Sequence, residues 1–360
     1  MTAAPPIPIE NIYYLFCYAW NRFEEAQSIP LGGTQSPDLP NLLGRVLLHG
    51  TRALLRRGLD RAFQNCSDEI ATVRGHIDIG ASLRLKSQKV RRLACEFDEL
   101  SHDLLHNQII KASLRRIARA QTIDTKLSHE LVMTAQRMPD VSDIWLERSA
   151  FARVQLHRNN AYYDIILKVA ELAYDCLLPD PSGAGYAFHD ILRDEGKMAR
   201  VFEDFVRNFY RAEQCEFAVN PLAIRWDALE LTTTGVGRLP SMIVDIYLRS
   251  PNRRLIIDTK YYARALQQSL YGSESFQSGN LYQLFAYLKN AASDPAFAKC
   301  EGMLLYPQVG RGMRECFKLQ GQSVTIATIN LAQPWQQISS DLLSLLMPLP
   351  QTAEATASPG

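Results

Sequence analysis

Two carboxylates and one ammonium group lie within short apolar segments of this sequence. Asp245 lies in the segment Ser241–Leu248, and Asp258 and Lys260 lie in the segment Arg254–Tyr262. A buried charge without a partner is costly, and a divalent cation supplies one because carboxylate oxygens are the ligands that Mg²⁺ prefers. Two acids with a lysine two residues after the second therefore predict a metal-dependent phosphodiesterase. In such a site the metal activates water and the lysine stabilises the nucleophile or the phosphate charge.

The two segments have the composition of neighbouring β-strands. Both are short and rich in β-branched and aromatic residues, and the turn signal Ser250–Asn252 separates them. They predict a hairpin in which Asp258 and Lys260 point to the same face, because side chains alternate along a strand. The alternative is an inert Asp–Lys pair at an exposed sheet edge, since a D-x-K triplet alone occurs by chance in many proteins.

Two predicted helices carry further candidate polar residues. Glu203 lies at the border of the apolar stripe in the segment Lys197–Tyr210, where an ordinary solvated acid is the alternative. Gln283 and Tyr287 are four residues apart in the second helix and so share one face. That pair is interpreted either as a buried hydrogen-bonded pair or as a pair that faces a ligand.

The order of these elements resembles the PD-(D/E)xK nuclease superfamily. The helix with an acid, the two strands and the helix with Q-x-x-x-Y follow in the superfamily's order, and the last motif resembles its RecB-type branch. The second acid is aspartate where glutamate is commoner, which keeps the ligand chemistry with a shorter reach. The resemblance implies that Asp245 and Asp258 bind Mg²⁺, with one or two ions left open. The catalytic residues that it implies are Asp245, Asp258, Lys260, Glu203, Gln283 and Tyr287.

Three segments of the chain resemble the McrC family. They are Ile9–Trp20, Cys95–Asp103 with the following Asn107, and Met198–Val206, and the resemblance extends from about Pro8 to about Leu349. It implies the nuclease subunit of a modification-dependent McrBC restriction system, an antiphage defence that cleaves double-stranded DNA carrying 5-methylcytosine-type bases. The implied partner is a McrB-like AAA+ GTPase hexamer, whose GTP hydrolysis this subunit would stimulate.

Two other functions compete with this one. A stand-alone RecB-like repair nuclease would share the same site, but the long N-terminal half carries no helicase motif. A catalytically weak scaffold that mainly activates a partner NTPase would not need the intact D…D-x-K pattern. The chain itself lacks G-x-x-x-x-G-K-[ST], so the implied GTPase belongs to another chain.

The length of 360 residues suggests about two domains, and the apolar content of 47% is ample for their cores. The order of the predicted helices and strands indicates a mixed α/β protein. Residues 1–155 are expected to form an α+β domain that docks and stimulates the GTPase partner. Residues 156–348 are expected to form the restriction-endonuclease-like core, with a disordered Pro/Ala/Thr-rich tail at 349–360.

Charge and cysteine content narrow the class of protein further. The net charge of +1 excludes a strongly basic DNA-coating protein, so any DNA contact should be local. The seven cysteines form no C-x-x-C pair, which favours reduced thiols in the cytoplasm. The sequence contains no signal peptide pattern and no apolar run long enough for a membrane span.

One local basic run lies in the N-terminal half, beside a hairpin or strand predicted over Ile70–Leu85. The segment from Arg74 to Arg92 contains Asp78 as its only acid. The run is either a solvated face, a contact for DNA phosphates, or a projection into the central channel of the partner, which the family resemblance favours. Its members are Arg74, Arg84, Lys86, Lys89, Arg91 and Arg92.

Overall fold

A computed structural model of the chain separates it into two compact units. One unit comprises residues 1–23 and 191–360, and the other comprises residues 24–190. The described residues are 7–23, 38–138, 140–180, 185–189, 194–229, 239–261, 266–268, 274–309 and 311–347. The predicted tail at 349–360 lies outside them.

This division differs from the predicted boundary at residue 155. The first helix, α1 (Ile9–Ala19), buries Leu15 and Tyr18 in the core of the C-terminal residues. The segment 156–190 belongs instead to the unit formed by residues 24–190. The boundary was wrong because amphipathic helices do not reveal from sequence which core their apolar face joins.

The unit formed by residues 24–190 combines a group of packed helices with a small antiparallel sheet. Helices α2, α4, α5 and α7 bury side chains such as Leu47, Ile110, Leu131 and Val169. Strand β3 lies between β1 and β2, and β4 pairs with β5. The elements are α2 (Leu39–Arg57), β1 (Ala62–Ile70), β2 (His76–Ile77), α3 (Ile79–Ser87), β3 (Leu93–Ser101), α4 (Leu105–Ala118), α5 (Thr125–Gln136), α6 (Arg148–Ala152), α7 (Asp164–Cys176), β4 (Leu177–Pro179) and β5 (Tyr186–Phe188).

Helix α3 corrects the strand or hairpin predicted over Ile70–Leu85. The side chain of Asp78 accepts a hydrogen bond from the N–H of Ala81 at 2.9 Å, which is the N-cap arrangement that starts a helix. The long hairpin ribbon is formed instead by β1 and β3, which pair antiparallel with Cys66 opposite Phe97.

The other unit contains a six-stranded sheet with the order β12-β13-β11-β8-β7-β6. Strand β11 pairs parallel with β8 and β13, and the remaining pairs are antiparallel. The predicted hairpin and its two flanking helices are confirmed. Besides α1, the elements are α8 (Glu195–Glu213), β6 (Ala218–Ile224), β7 (Met242–Arg249), β8 (Arg254–Thr259), β9 (Leu266–Gln268), β10 (Glu274–Phe276), α9 (Ser278–Ala291), β11 (Glu301–Pro307), β12 (Arg314–Leu319), β13 (Gln322–Ile329) and α10 (Trp335–Leu345).

Two apolar clusters cover the two faces of this sheet. One face carries Leu255 and Ile257 of β8 and packs against α1, α8 and α10. The other face carries Ile256 and packs against α9. Because side chains alternate along β8, Asp258 follows Ile256 on the face toward α9.

Strand β7 contains a β-bulge at the position of the first candidate acid. Val244 lies opposite Leu222 of β6, but Tyr247 lies opposite Asn220, so β7 holds one extra residue. Val244 and Tyr247 consequently join the same apolar cluster although they are three residues apart. Bulges of this kind redirect side chains, and Asp245 lies within this one.

No helix among the described residues is long and apolar enough to cross a membrane.

The assignment of α1 to the unit with the six-stranded sheet can be tested by hydrogen exchange on the full chain. Leu15→Ala should destabilise that unit by about 2–5 kcal/mol, because it leaves a cavity in its core. Amide protection should then fall in Arg254–Thr259 and stay unchanged in Leu105–Ala118. Ile110→Ala is the matched control and should give the reverse pattern. Loss of protection in Leu105–Ala118 on Leu15→Ala would contradict the assignment.

Candidate metal centre

Asp258 is a buried carboxylate with one close polar contact among the described residues, the ammonium of Lys260. Its side chain is 0% exposed, and no other hydrogen-bond donor reaches Oδ1 or Oδ2. The ammonium of Lys260 forms an ion pair with it, at 2.7 Å from Oδ2. Buried polar groups are nearly always satisfied, so a carboxylate with only one ionic contact indicates a site for a ligand.

Lys260 lies on the same side of the chain as Asp258, as the alternation predicts. It follows the last residue of β8, and its N–H donates to the carbonyl of Leu305 in β11 at 3.0 Å. This hydrogen bond continues the pairing beyond the end of the strand. The exposed edge pair considered as an alternative is excluded, because β8 is an inner strand flanked by β7 and β11.

Burial raises the pKa of Asp258 to about 6. Desolvation is the largest cause, and the negative charge of Asp245 is the second. Lys260 opposes the increase, and Glu203 adds a smaller repulsion. The carboxylates of Glu203, Asp245 and Asp258 come from three elements and repel one another at this point. Asp258 is the most deeply buried of the three.

Asp245 is held by the residue that follows Asp258. Its Oδ2 accepts hydrogen bonds from the N–H of Thr259 at 3.0 Å and from the hydroxyl of Thr259 at 3.3 Å. The register that pairs Ile246 with Ile257 places Asp245 opposite Asp258 when it is extended by one residue. Thr259 was not among the site residues predicted from the sequence, although its position between Asp258 and Lys260 was the available signal.

Glu203 lies on α8 and is paired with Arg207 one turn later. The guanidinium of Arg207 donates to Glu203 Oε1 through Nη2 and to Asp204 Oδ1 through Nη1, the latter at 2.6 Å. The pKa of Glu203 is raised, first by burial and then by the charge of Asp245, while Arg207 opposes the increase. Glu203 thus belongs to the electrostatic surroundings of the two aspartates.

Gln283 and Tyr287 form the predicted hydrogen-bonded pair. The amide of Gln283 donates to the hydroxyl of Tyr287 at 2.7 Å, and this hydroxyl donates to the carbonyl of Ile243 in β7 at 3.0 Å. Burial raises the pKa of Tyr287, so its hydroxyl keeps its proton. The pair therefore anchors α9 to the backbone of β7 two residues before Asp245.

The donor set fits a divalent cation held by two aspartates. Asp258 offers Oδ1, which has no donor, and Oδ2, which contacts only the ammonium of Lys260. A cation would relieve the repulsion that Asp245 and Glu203 exert on Asp258. Among the described residues no group of three or more His, Cys, Asp or Glu is arranged to hold a metal ion. Asp245 and Asp258 are accordingly the candidate ligands, and Glu203 stays outside them with Arg207.

The predicted basic run lies in the unit formed by residues 24–190, and its members are exposed. Arg74 differs from the others because it is tied to β3: its guanidinium lies 4.4 Å from the ring centroid of Phe97 and 3.4 Å from Glu99. Lys86 lies in the last turn of α3, and Arg91 and Arg92 precede β3.

A cleft of about 440 Å³ lies beside these cations. Lys86, Arg91 and Arg92 line it together with apolar residues of α3 and the neighbouring strands. Ile79 is 71% exposed and Leu83 is 60% exposed. An exposed apolar surface bordered by charge is typical of a protein–protein contact. The cations of this surface were predicted from the sequence, whereas its exposed apolar residues Ile79 and Leu83 were not.

The sequence of this chain is similar to those of McrBC restriction system components. A family model described as McrBC 5-methylcytosine restriction system component matches residues 11–307. The Escherichia coli K12 protein described as type IV methyl-directed restriction enzyme EcoKMcrBC is 29% identical over 341 residues, which cover 95% of this chain and 97% of that protein.

Two structures from Thermococcus gammatolerans also match. The first is a refined half-complex of McrB AAA+ hexamers with bound McrC. Its matching chain is 16% identical, with a TM-score of 0.58 over 94% of this chain and 76% of the other. The second is the McrBC complex, 19% identical with a TM-score of 0.42 over 58% and 60%. The first match shows a shared fold.

The raised pKa of Asp258 predicts a pH-dependent stability in the absence of divalent cations. The folded protein holds this proton up to about pH 6, whereas the unfolded chain releases it near the usual value of 3.8. Stability should therefore fall as the pH rises between these values and stay low above them. At pH 7, Asp258→Asn should be more stable than wild type by on the order of 3 kcal/mol, and the difference should narrow toward pH 4.

Urea unfolding in EDTA measures this difference. Asp98→Asn, at an exposed position in β3, should change stability little at either pH. An Asp258→Asn variant less stable than wild type at pH 7 would contradict the raised pKa.

Proposed function

The chain belongs to the family of McrBC 5-methylcytosine restriction system components, and we propose that it is the subunit that cuts DNA by Mg²⁺-dependent hydrolysis of phosphodiester bonds. The observation that carries this proposal is the buried carboxylate of Asp258, which lies beside Asp245 and has Lys260 as its one polar contact among the described residues. A site of this charge and composition suits a divalent cation and a phosphate group.

Asp245 and Asp258 would hold the cation. Bound Mg²⁺ supplies a Lewis acid for the phosphate oxygen and lowers the pKa of a coordinated water. Thr259 keeps the Asp245 carboxylate oriented through its N–H and hydroxyl. Lys260, which lies 2.7 Å from Asp258, brings a compact positive charge to the place where charge develops on the phosphate or nucleophile.

The remaining site residues position these groups. Tyr287 fixes the start of β7 against α9, and Gln283 orients the Tyr287 hydroxyl. Of the two predicted roles for this pair, orientation of the site is favoured over contact with the DNA backbone. Glu203 acts as an outer acid whose charge is partly balanced by Arg207.

We infer that the unit formed by residues 24–190 binds a McrB-like AAA+ GTPase hexamer and stimulates its GTP hydrolysis. The structural match to a McrB AAA+ assembly with bound McrC supports this inference through the shared fold. The exposed apolar and basic surface of α3 and its neighbouring strands is suited to such a contact. The net charge of +1 fits a chain whose target DNA is selected by the partner.

A purely structural scaffold fits the site less well. A protein that only activates a partner has no use for a buried carboxylate that also faces the repulsion of two further acids, because that arrangement lowers stability. Destabilising arrangements of this kind, with strongly perturbed pKa values, cluster at functional sites.

The proposed chemistry is tested by cleavage of methylated double-stranded DNA by the chain in the presence of a McrB-like GTPase, GTP and Mg²⁺. Asp258→Ala should abolish cleavage and leave partner binding intact, because it removes a metal ligand. Lys260→Ala should reduce cleavage by at least about a hundredfold, the scale of losing one transition-state charge contact. Lys260→Arg should restore little, because a planar guanidinium does not replace a compact ammonium. Cleavage by Asp258→Ala at the wild-type rate would refute the assignment.

The basic run can be tested with the triple variant Arg84→Gln, Lys86→Gln, Lys89→Gln. If the run enters the channel of the partner, this variant should lower partner GTP hydrolysis in the absence of DNA. The matched control is Arg56→Gln, Arg57→Gln, which removes two exposed cations at the end of α2. The other outcome is that the triple variant stimulates GTP hydrolysis fully but binds DNA more weakly. The slope of log affinity against log salt concentration should then flatten by about one unit per lost contact, and the run would contact DNA phosphates instead.

A further inference from the structure

Arg207 makes three polar contacts that converge on the candidate metal centre. Its Nη1 and Nη2 donate to Asp204 and Glu203 on its own helix, α8. Its Nε donates to the main-chain carbonyl of Asp245 at 3.0 Å. The side chain is 28% exposed, so these contacts are partly shielded from water.

The β-bulge in β7 places the carbonyl of Asp245 outside the regular pairing, and Arg207 donates to it there. The pairing with β6 passes from Val244 directly to Tyr247, and the pairing with β8 begins at Ile246. Asp245 therefore lies outside the paired register on both sides. A half-buried carbonyl without a donor costs stability and leaves the bulge free to change its conformation. The guanidinium fixes that backbone, and with it the direction of the Asp245 side chain.

The same guanidinium connects the two acids that come from different elements. Glu203 belongs to a helix and Asp245 to a strand, and their charges repel each other and Asp258. A guanidinium has five donors in a rigid fork, so one side chain can hold both a carboxylate and a main-chain carbonyl in fixed directions. A lysine ammonium would supply the charge without this geometry.

We propose that Arg207 is a positioning residue of the metal centre, which holds Asp245 in the direction needed to bind the cation. The proposal rests on the proposed function, since it concerns the same site. Arg207 acts through Asp245 and Glu203 and needs no contact with the DNA.

Ca²⁺ binding by the full chain without DNA, measured by isothermal titration calorimetry, tests the proposal independently of cleavage. Arg207→Ala and Arg207→Lys should each bind Ca²⁺ about tenfold more weakly, the lower end of what loss of a group that orients a metal ligand costs. Both should also cleave DNA more slowly at saturating DNA, with little change in the DNA concentration needed for half-maximal rate. Arg211→Ala, one turn further along α8 and exposed, is the matched control and should behave as wild type.

The outcomes separate this proposal from the proposed function. Arg207→Lys keeps the aliphatic stem and the charge, so it decides the question even if Arg207→Ala fails to fold. Wild-type Ca²⁺ affinity and cleavage in Arg207→Lys would overturn the positioning role, as would a lowered urea midpoint with unchanged Ca²⁺ affinity. Asp258→Ala is measured in parallel. If it also binds Ca²⁺ and cleaves DNA as wild type does, the proposed function itself is refuted.

Discussion

The negative charge of Asp258, which is buried at the end of an inner strand and only partly compensated, is the constraint on which the rest of this unit depends. A carboxylate in such a place is tolerated only if a partner charge is close and the surrounding structure cannot relax around it. Lys260 supplies part of the compensation, while β7 and β11 fix the backbone on both sides. The apolar clusters on the two faces of the sheet offset the free energy that burial of this charge costs.

Helices on both faces of the sheet donate hydrogen bonds to β7, the strand next to Asp258. Tyr287 of α9 donates to the carbonyl of Ile243, and Arg207 of α8 donates to the carbonyl of Asp245. These two carbonyls are two residues apart in β7, next to the bulge. The strand is thus bound at its irregular point by side chains from elements that pack on opposite faces, which is how a site is kept rigid where regular pairing ends.

The sequence was sufficient for the parts that depend on local pattern. Alternation along a strand placed Asp258 and Lys260 on one face, and a four-residue helical spacing paired Gln283 with Tyr287. The sequence was insufficient where the outcome depends on contacts between distant residues. No local signal shows that Leu15 packs in the C-terminal core, that the pairing of β7 with β6 is irregular, or that Arg207 reaches the Asp245 carbonyl. The helix after Asp78 was missed because its short cap signal was outweighed by the apparent alternation.

The N-terminal helix has a consequence for the order in which the protein is made. Residues 1–23 complete a core whose other members follow only after residue 190, so the unit of residues 24–190 is an insertion within that core. Translation proceeds from the N-terminus, and domains fold as they emerge. The apolar face of α1, with Leu15 and Tyr18, must therefore wait for its partners until the inserted unit has been synthesised. The proposed nuclease consequently cannot mature on the ribosome before the segment proposed to couple it to the GTPase exists.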